Sequence, residues 1–150
     1  MSEALFPLFA NLHNRQVLVV GGGVVALRKV AALKAAGALV RVGAIELCNE
    51  LLTQFEKAEI EFTPGRFQEQ WLDDVWLVVA ATDDLLVNRA IASAAEVRRL
   101  FVNVVDDAEL SSYQVPSIIN RGQLQIAISS AGAAPMLARY IREKLEAQFD

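Results

Sequence analysis

The run Val20-Gly21-Gly22-Gly23-Val24-Val25-Ala26 limits this chain more than any other feature, because it fits G-x-G-x-x-A between a strand and a helix. Each small residue has its own physical task. The first glycine permits the tight turn, the second lets a pyrophosphate approach the backbone, and Ala26 lets helix and strand pack closely. The first-turn N–H groups and the helix dipole would then face the phosphates. Such a match means little in isolation and gains weight only on the first strand of a doubly wound sheet. The flanks supply that setting. Residues 16–20 form a short β-branched run, and Leu27, Val30, Ala31 and Leu33 recur at helical spacing over 24–36, with Gly37 placed as a C′ cap.

The alternation continues. Strands are predicted over 39–42, 59–63, 75–80 and 100–105, with helices over 45–57 and 84–97 and a short helix before the fourth strand. Pro64-Gly65 closes the third strand, and Thr82-Asp83-Asp84 offers N-cap chemistry to the helix after the fourth. This order predicts an α/β, Rossmann-like doubly wound parallel sheet covered by helices. After residue 113 the pattern changes. Runs at 114–119 and 123–129, separated by Asn120-Arg121-Gly122, predict a β-hairpin whose apolar face is Leu124, Ile126 and Ile128. A helix over 134–148 follows, with Leu137, Ile141 and Leu145 in one row and Met136 and Tyr140 beside it. The expected division is therefore a dinucleotide-binding domain over 1–113 and a hairpin-plus-helix region over 114–150. The latter is too small for a core of its own, so it is expected to serve as a dimerisation segment.

Composition removes several classes. A 54% hydrophobic, 21% charged chain is globular, and a net charge of −4 argues against nucleic acid as a partner. The single Cys48 and single His13 exclude a disulfide framework and any cysteine-built zinc site within the chain, so no metal ligands are assigned. No apolar run reaches the ~18 residues of a membrane span, and the N-terminus lacks the regions of a signal peptide. The expected setting is soluble and cytoplasmic.

Ligands of an open α/β sheet lie outside the carboxyl ends of its strands. Gly21, Gly22, Gly23 and Val24 therefore stand as dinucleotide-binding candidates, with the backbone of Ala81 and with Thr82 after the fourth strand. Thr82 and the two aspartates could equally only cap the next helix. At the end of the second strand, where an acid for the ribose is expected, stand Gly43-Ala44-Ile45, and the nearest acid is Glu46. Arg41 could hold a 2′-phosphate or be an edge-strand arginine, so these residues leave NAD and NADP open. Asp106, after the fifth strand, could take a proton while hydride leaves, or be a solvated loop residue.

These blocks together resemble the siroheme synthase family. The resemblance is carried by Pro7-Leu8-Phe9, by Val17 to Gly23 with Ala26, Arg28 and Lys29, by Ala80 to Asp84 with Asn88, and by Asn103 to Asp106. It continues through Pro116-Ser117-Ile118-Ile119, Ser129-Ser130, Gly132, Pro135, Leu137 to Arg139 and Arg142 to Leu145. The chain is similar to that family's precorrin-2 dehydrogenase/sirohydrochlorin ferrochelatase module. The resemblance implies NAD as cofactor, oxidation of precorrin-2 to sirohydrochlorin, insertion of ferrous iron in many members, and a homodimer. It also implies that the glycine turn binds NAD and that Asp106 is the catalytic aspartate of both steps. Members usually continue into a small helical domain beyond this point. The substrate is a polycarboxylate, so Arg121, Ser129, Ser130 and Arg139 are candidates for its acid side chains, against a reading as solvated charge and helix-entry turn. Two alternatives stand beside this one: a dehydrogenase that leaves iron insertion to another protein, and a non-catalytic NAD- or tetrapyrrole-binding module.

Overall fold

In a computed structural model, which describes residues 3–149, a five-stranded parallel sheet runs in the order β3-β2-β1-β4-β5. The strands are β1 (Gln16–Val20), β2 (Leu39–Ala44), β3 (Glu61–Pro64), β4 (Leu77–Ala80) and β5 (Phe101–Val104). Helices α1 (Val24–Ala35), α2 (Asn49–Glu56) and α3 (Leu85–Val97) connect them, with a 3-10 helix at Glu69–Leu72. β1 pairs in parallel with both β2 and β4, so the strand order reverses beside β1, directly above the glycine turn. This is the doubly wound sheet that the alternation of elements predicts.

Strand pleat sends alternate side chains of β1 into two separate cores. Val17 and Val19 pack with Ala26 and Val30 of α1 and Leu51 of α2 on one face. Leu18 and Val20 pack with Ile91 and Ala95 of α3 and Leu72 on the other. The continuous apolar reading of the central strands follows from burial on both faces. Gly37 ends α1 with φ +82, and the Ala38 N–H reaches back to the Leu33 carbonyl. Asp84 caps α3 by accepting from the N–H groups of Leu86 (2.9 Å) and Val87 (3.3 Å).

The second strand and the second helix differ from the sequence expectations. β2 runs two residues longer than 39–42. Its Gly43 is required there, since a Cβ would stand 2.3 Å from the Trp71 ring. α2 begins at Asn49 and not at 45, because the Cys48 N–H is drawn to the Gly22 carbonyl at 2.7 Å. β2 is also interior to the sheet, so Arg41 is no edge-strand residue.

The chain divides into two compact units, Ala10–Tyr113 and a second made of 3–9 with 114–149. The N-terminal segment therefore groups with the C-terminal elements and not, as expected, with the sheet. Residues 3–9 pair with no strand, and Phe6 is 87% exposed. In the second unit, β6 (Ser117–Arg121) and β7 (Leu124–Ile128) form an antiparallel hairpin around Gly122-Gln123, followed by α4 (Pro135–Glu146). Ile119, opposite Ile126, is the buried residue of the hairpin, and Ala138 is that of the helix. The expected helix row is more open: Leu137 and Ile141 are exposed, as are Met136 and Tyr140.

Candidate functional site

The carboxyl ends of β1, β2, β4 and β5 open onto one crevice of about 970 Å³, and the glycine turn is part of its wall. The three glycines differ in what requires them. Gly21 has φ +126, and a Cβ on it would lie 2.4 Å from the Ala81 carbonyl oxygen. A Cβ on Gly22 would lie 2.0 Å from the Glu46 carbonyl oxygen. Protein packing thus explains both. It does not explain Gly23, whose φ of −96° suits any residue and whose Cβ would meet nothing within 4 Å. Gly23 is the N-cap of α1, no side chain caps that end, and no acid stands in the first turn. The helix start therefore offers free backbone donors and the positive end of its dipole to the crevice. A phosphate group fits this end in charge, in donor supply and in the room beside Gly23.

The second wall follows β4. Ala81 and Thr82 line it, with Asp83 and Asp84. The Thr82 hydroxyl stands 2.6 Å from Oδ1 of buried Asn88, whose Nδ2 donates to the Thr82 carbonyl at 3.1 Å. The side chain of Thr82 is thus turned to Asn88, while the loop backbone lines the opening. Asn88 is polar within the buried face of α3, and that placement explains the Asn four residues after the capping Asp84.

Asp106 lines the same crevice and is exposed. It sits in a tight turn closed by the Asp107 N–H on the Val104 carbonyl (3.0 Å), and its φ of +62° is one that aspartate tolerates better than most residues. Ser111 fixes this turn from the outer edge of β5. Its Oγ accepts from the Val104 N–H at 2.8 Å and stands 2.8 Å from the Asp107 carbonyl. Asp107 in turn accepts from the Leu110 N–H at 3.1 Å.

Other residues are placed differently from expectation. Arg41 is absent from the crevice wall, and its Nη2 donates to the Trp71 carbonyl at 2.6 Å. Cys48 lines the crevice as N-cap of α2. Arg66 and Phe67 also line it; the signal for them was Pro64-Gly65, which marks the carboxyl end of a third strand. Among the described residues no group of three or more His, Cys, Asp or Glu could hold a metal ion, and no helix is long and apolar enough to cross a membrane.

Arg121, Ser129, Ser130 and Arg139 belong to the second unit. Arg121 is engaged there, donating to the carbonyls of Phe149 (2.9 Å) and Asn120 (2.8 Å) and lying 3.8 Å from Glu146. Ser129 Oγ accepts from the Ala131 N–H and Ser130 Oγ from the Ala134 N–H, which leaves each hydroxyl proton available. Arg139 is exposed.

A reversing parallel sheet with an uncapped, glycine-led helix at its switch point defines a dinucleotide-binding domain. Residues 8–117 match the family described as putative NAD(P)-binding, and residues 121–148 match the sirohaem biosynthesis protein central family. The chain belongs to this NAD(P)-binding family, in the form of the module found in siroheme synthases. It is 56% identical to a siroheme synthase of Xylella fastidiosa over 99% of this chain, and 52% identical to one of Photorhabdus laumondii over 94%. It spans about a third of the length of these relatives, 32% and 30% respectively. Among solved structures it is similar to SirC, a precorrin-2 dehydrogenase, with a TM-score of 0.82 and 30% identity over 97% of this chain and 72% of that one.

Proposed function

We propose that this chain catalyses the NAD-dependent dehydrogenation of precorrin-2 to sirohydrochlorin. The observation that carries this reading is that Gly23, which packing leaves unexplained, and Asp106 line one crevice. The pyrophosphate of NAD would lie on Gly21, Gly22, Gly23 and Val24, with the Ala81 and Thr82 backbone along its other side. NAD, when bound, supplies the hydride acceptor. The macrocycle loses one hydride and one proton and gains one double bond, and Asp106 takes the proton. Asp106 would also accept pyrrole N–H protons if ferrous iron, a substrate, is inserted.

Arg121, Ser129, Ser130 and Arg139 are proposed to meet carboxylates of the substrate, Arg139 and the two hydroxyls with donors to spare. The protein is placed in the cytoplasm and acts as a homodimer. The dimer reading is supported by Met136, Leu137, Tyr140 and Ile141, exposed on a single helix of a unit with few buried residues.

The test mixes the chain with precorrin-2 and NAD and follows NADH and sirohydrochlorin by absorbance. Asp106→Asn keeps the shape and removes the base. It is expected to bind NADH as the parent chain does and to lose turnover at least a hundredfold. Undiminished turnover by Asp106→Asn removes the assignment of the base, and no turnover by the parent chain removes the reaction.

A further inference from the structure

We propose that Asn88 is a positioning residue for the dinucleotide: from within α3 it holds the loop Ala81-Thr82-Asp83 in the shape that lines the crevice. The proposal rests on the dinucleotide reading of that crevice. Among the described residues Asn88 is one of two buried polar residues, with Asn103. A buried amide costs free energy unless it is hydrogen-bonded, and asparagine is a poor helix former. α3 does not need one. Asp84 already caps the helix by accepting from the N–H groups of Leu86 and Val87, and Ile91, Ala92 and Ala95 supply its buried apolar contacts. An apolar side chain at position 88 would serve helix and core better, so the reason for the amide lies in what it touches.

Both ends of that amide go to one residue. Nδ2 donates to the Thr82 carbonyl at 3.1 Å, and Oδ1 stands 2.6 Å from the Thr82 hydroxyl. The carbonyl only accepts, so it decides which end of the amide faces it, and Oδ1 then accepts from the hydroxyl. Thr82 Oγ1 in turn accepts from the Asp84 N–H at 3.2 Å. Side chain and main chain of Thr82 are thus held together by Asn88. A trans peptide carries its N–H opposite its carbonyl, so pinning the Thr82 carbonyl turns the Asp83 N–H away from Asn88. Among the described residues neither the Thr82 nor the Asp83 N–H has a partner, and both residues line the crevice. The loop therefore keeps two unpaired main-chain donors on a wall that also carries the carboxylates of Asp83 and Asp84. The Thr82 carbonyl has no other partner among the described residues, so without Asn88 this peptide is free to turn. A loop in its binding shape about a tenth of the time weakens binding about tenfold, because apparent Kd scales inversely with the competent fraction.

The experiment titrates the full chain with NADH by fluorescence in the parent, Asn88→Asp and Asn88→Ala. Kd and the number of sites are read separately, with thermal melts as folding controls. Asn88→Asp keeps the shape but sets an oxygen against the Thr82 carbonyl, and Asn88→Ala removes both bonds. In each, Kd for NADH should rise about tenfold at an unchanged number of sites. KM for NAD in precorrin-2 turnover should rise with it while kcat stays within about twofold, since Asp106 follows a different strand. A residue that merely supports the core would lower the melting point and the number of sites and leave the Kd of the folded molecules alone. That result overturns the proposal. An unchanged Kd in a folded variant, a loss confined to kcat, or failure of both variants to fold overturns it equally. A parent that binds NADH without oxidising precorrin-2 defeats the proposed reaction and not this role of Asn88, which the Kd decides. A parent that binds no NADH overturns both.

Discussion

Gly22→Ala and Gly23→Ala, adjacent substitutions of one methyl group, should separate folding from binding. At Gly22 the new Cβ falls 2.0 Å from the Glu46 carbonyl oxygen and 3.0 Å from the Ala44 Cβ, so backbone must move. Overpacking against backbone costs about 3 kcal/mol, and for a unit of this size that lowers Tm by on the order of 10 °C. At Gly23 the methyl group meets no protein atom within 4 Å and the backbone is already at φ −96°. Alanine is the poorer N-cap by about 0.5–1 kcal/mol, but by reducing unfolded-chain entropy it also stabilises by about 0.4–1 kcal/mol, so the net change lies within roughly 0.5 kcal/mol. The same methyl group occupies the space through which a pyrophosphate reaches the first-turn N–H groups. Losing one charge-assisted hydrogen bond there costs about 1.5–3 kcal/mol, tenfold or more in Kd. Thermal denaturation and NADH titration on the two variants measure both quantities. A Gly23→Ala chain that binds NADH as tightly as the parent would show that the phosphates lie elsewhere. One as destabilised as Gly22→Ala would show that the space beside Gly23 is already filled in solution.

Ser111→Ala strips the partner from the Val104 N–H on buried β5; a buried donor left unpaired costs about 1–3 kcal/mol, measurable by urea unfolding. Because Ser111 also braces the turn that presents Asp106, the variant should lower kcat for precorrin-2 oxidation more than it changes NADH affinity, and restoring the hydroxyl as threonine should recover part of it. Burial beside Phe101 holds the Tyr113 phenol above its ordinary value of 10.0. The unfolded chain therefore loses that proton first, so the contribution of Tyr113 is complete below pH 10 and is lost as pH rises above it. Tyr113→Phe should flatten the alkaline fall in stability, and denaturation at neutral and alkaline pH checks it.

Much of the architecture was legible because it rests on short-range signals. The β-branched run before Gly21, the helical spacing after it, Gly37 as a C′ residue and Asp84 as a cap each act within a few residues of chain. The start of α2 was not legible. Residues 45–48 carry helical spacing, but the Gly22 carbonyl, from a different loop, captures the Cys48 N–H. The row Leu137, Ile141 and Leu145 has the period of a buried stripe, yet small Ala138 is what the helix buries. Periodicity reports that a face is apolar and does not report what covers it.

The sequence alone determined the class of sheet, the glycine turn and the acid after the last parallel strand, since backbone freedom, side-chain period and capping chemistry are properties of neighbouring residues. Only the tertiary structure decided that Gly21 and Gly22 answer to protein packing while Gly23 answers to open space. It also turned Arg41 toward Trp71 and brought Cys48, Arg66 and Glu46 to the crevice wall. Those outcomes depend on which strands become neighbours, and the contacts that order strands join residues far apart in the chain.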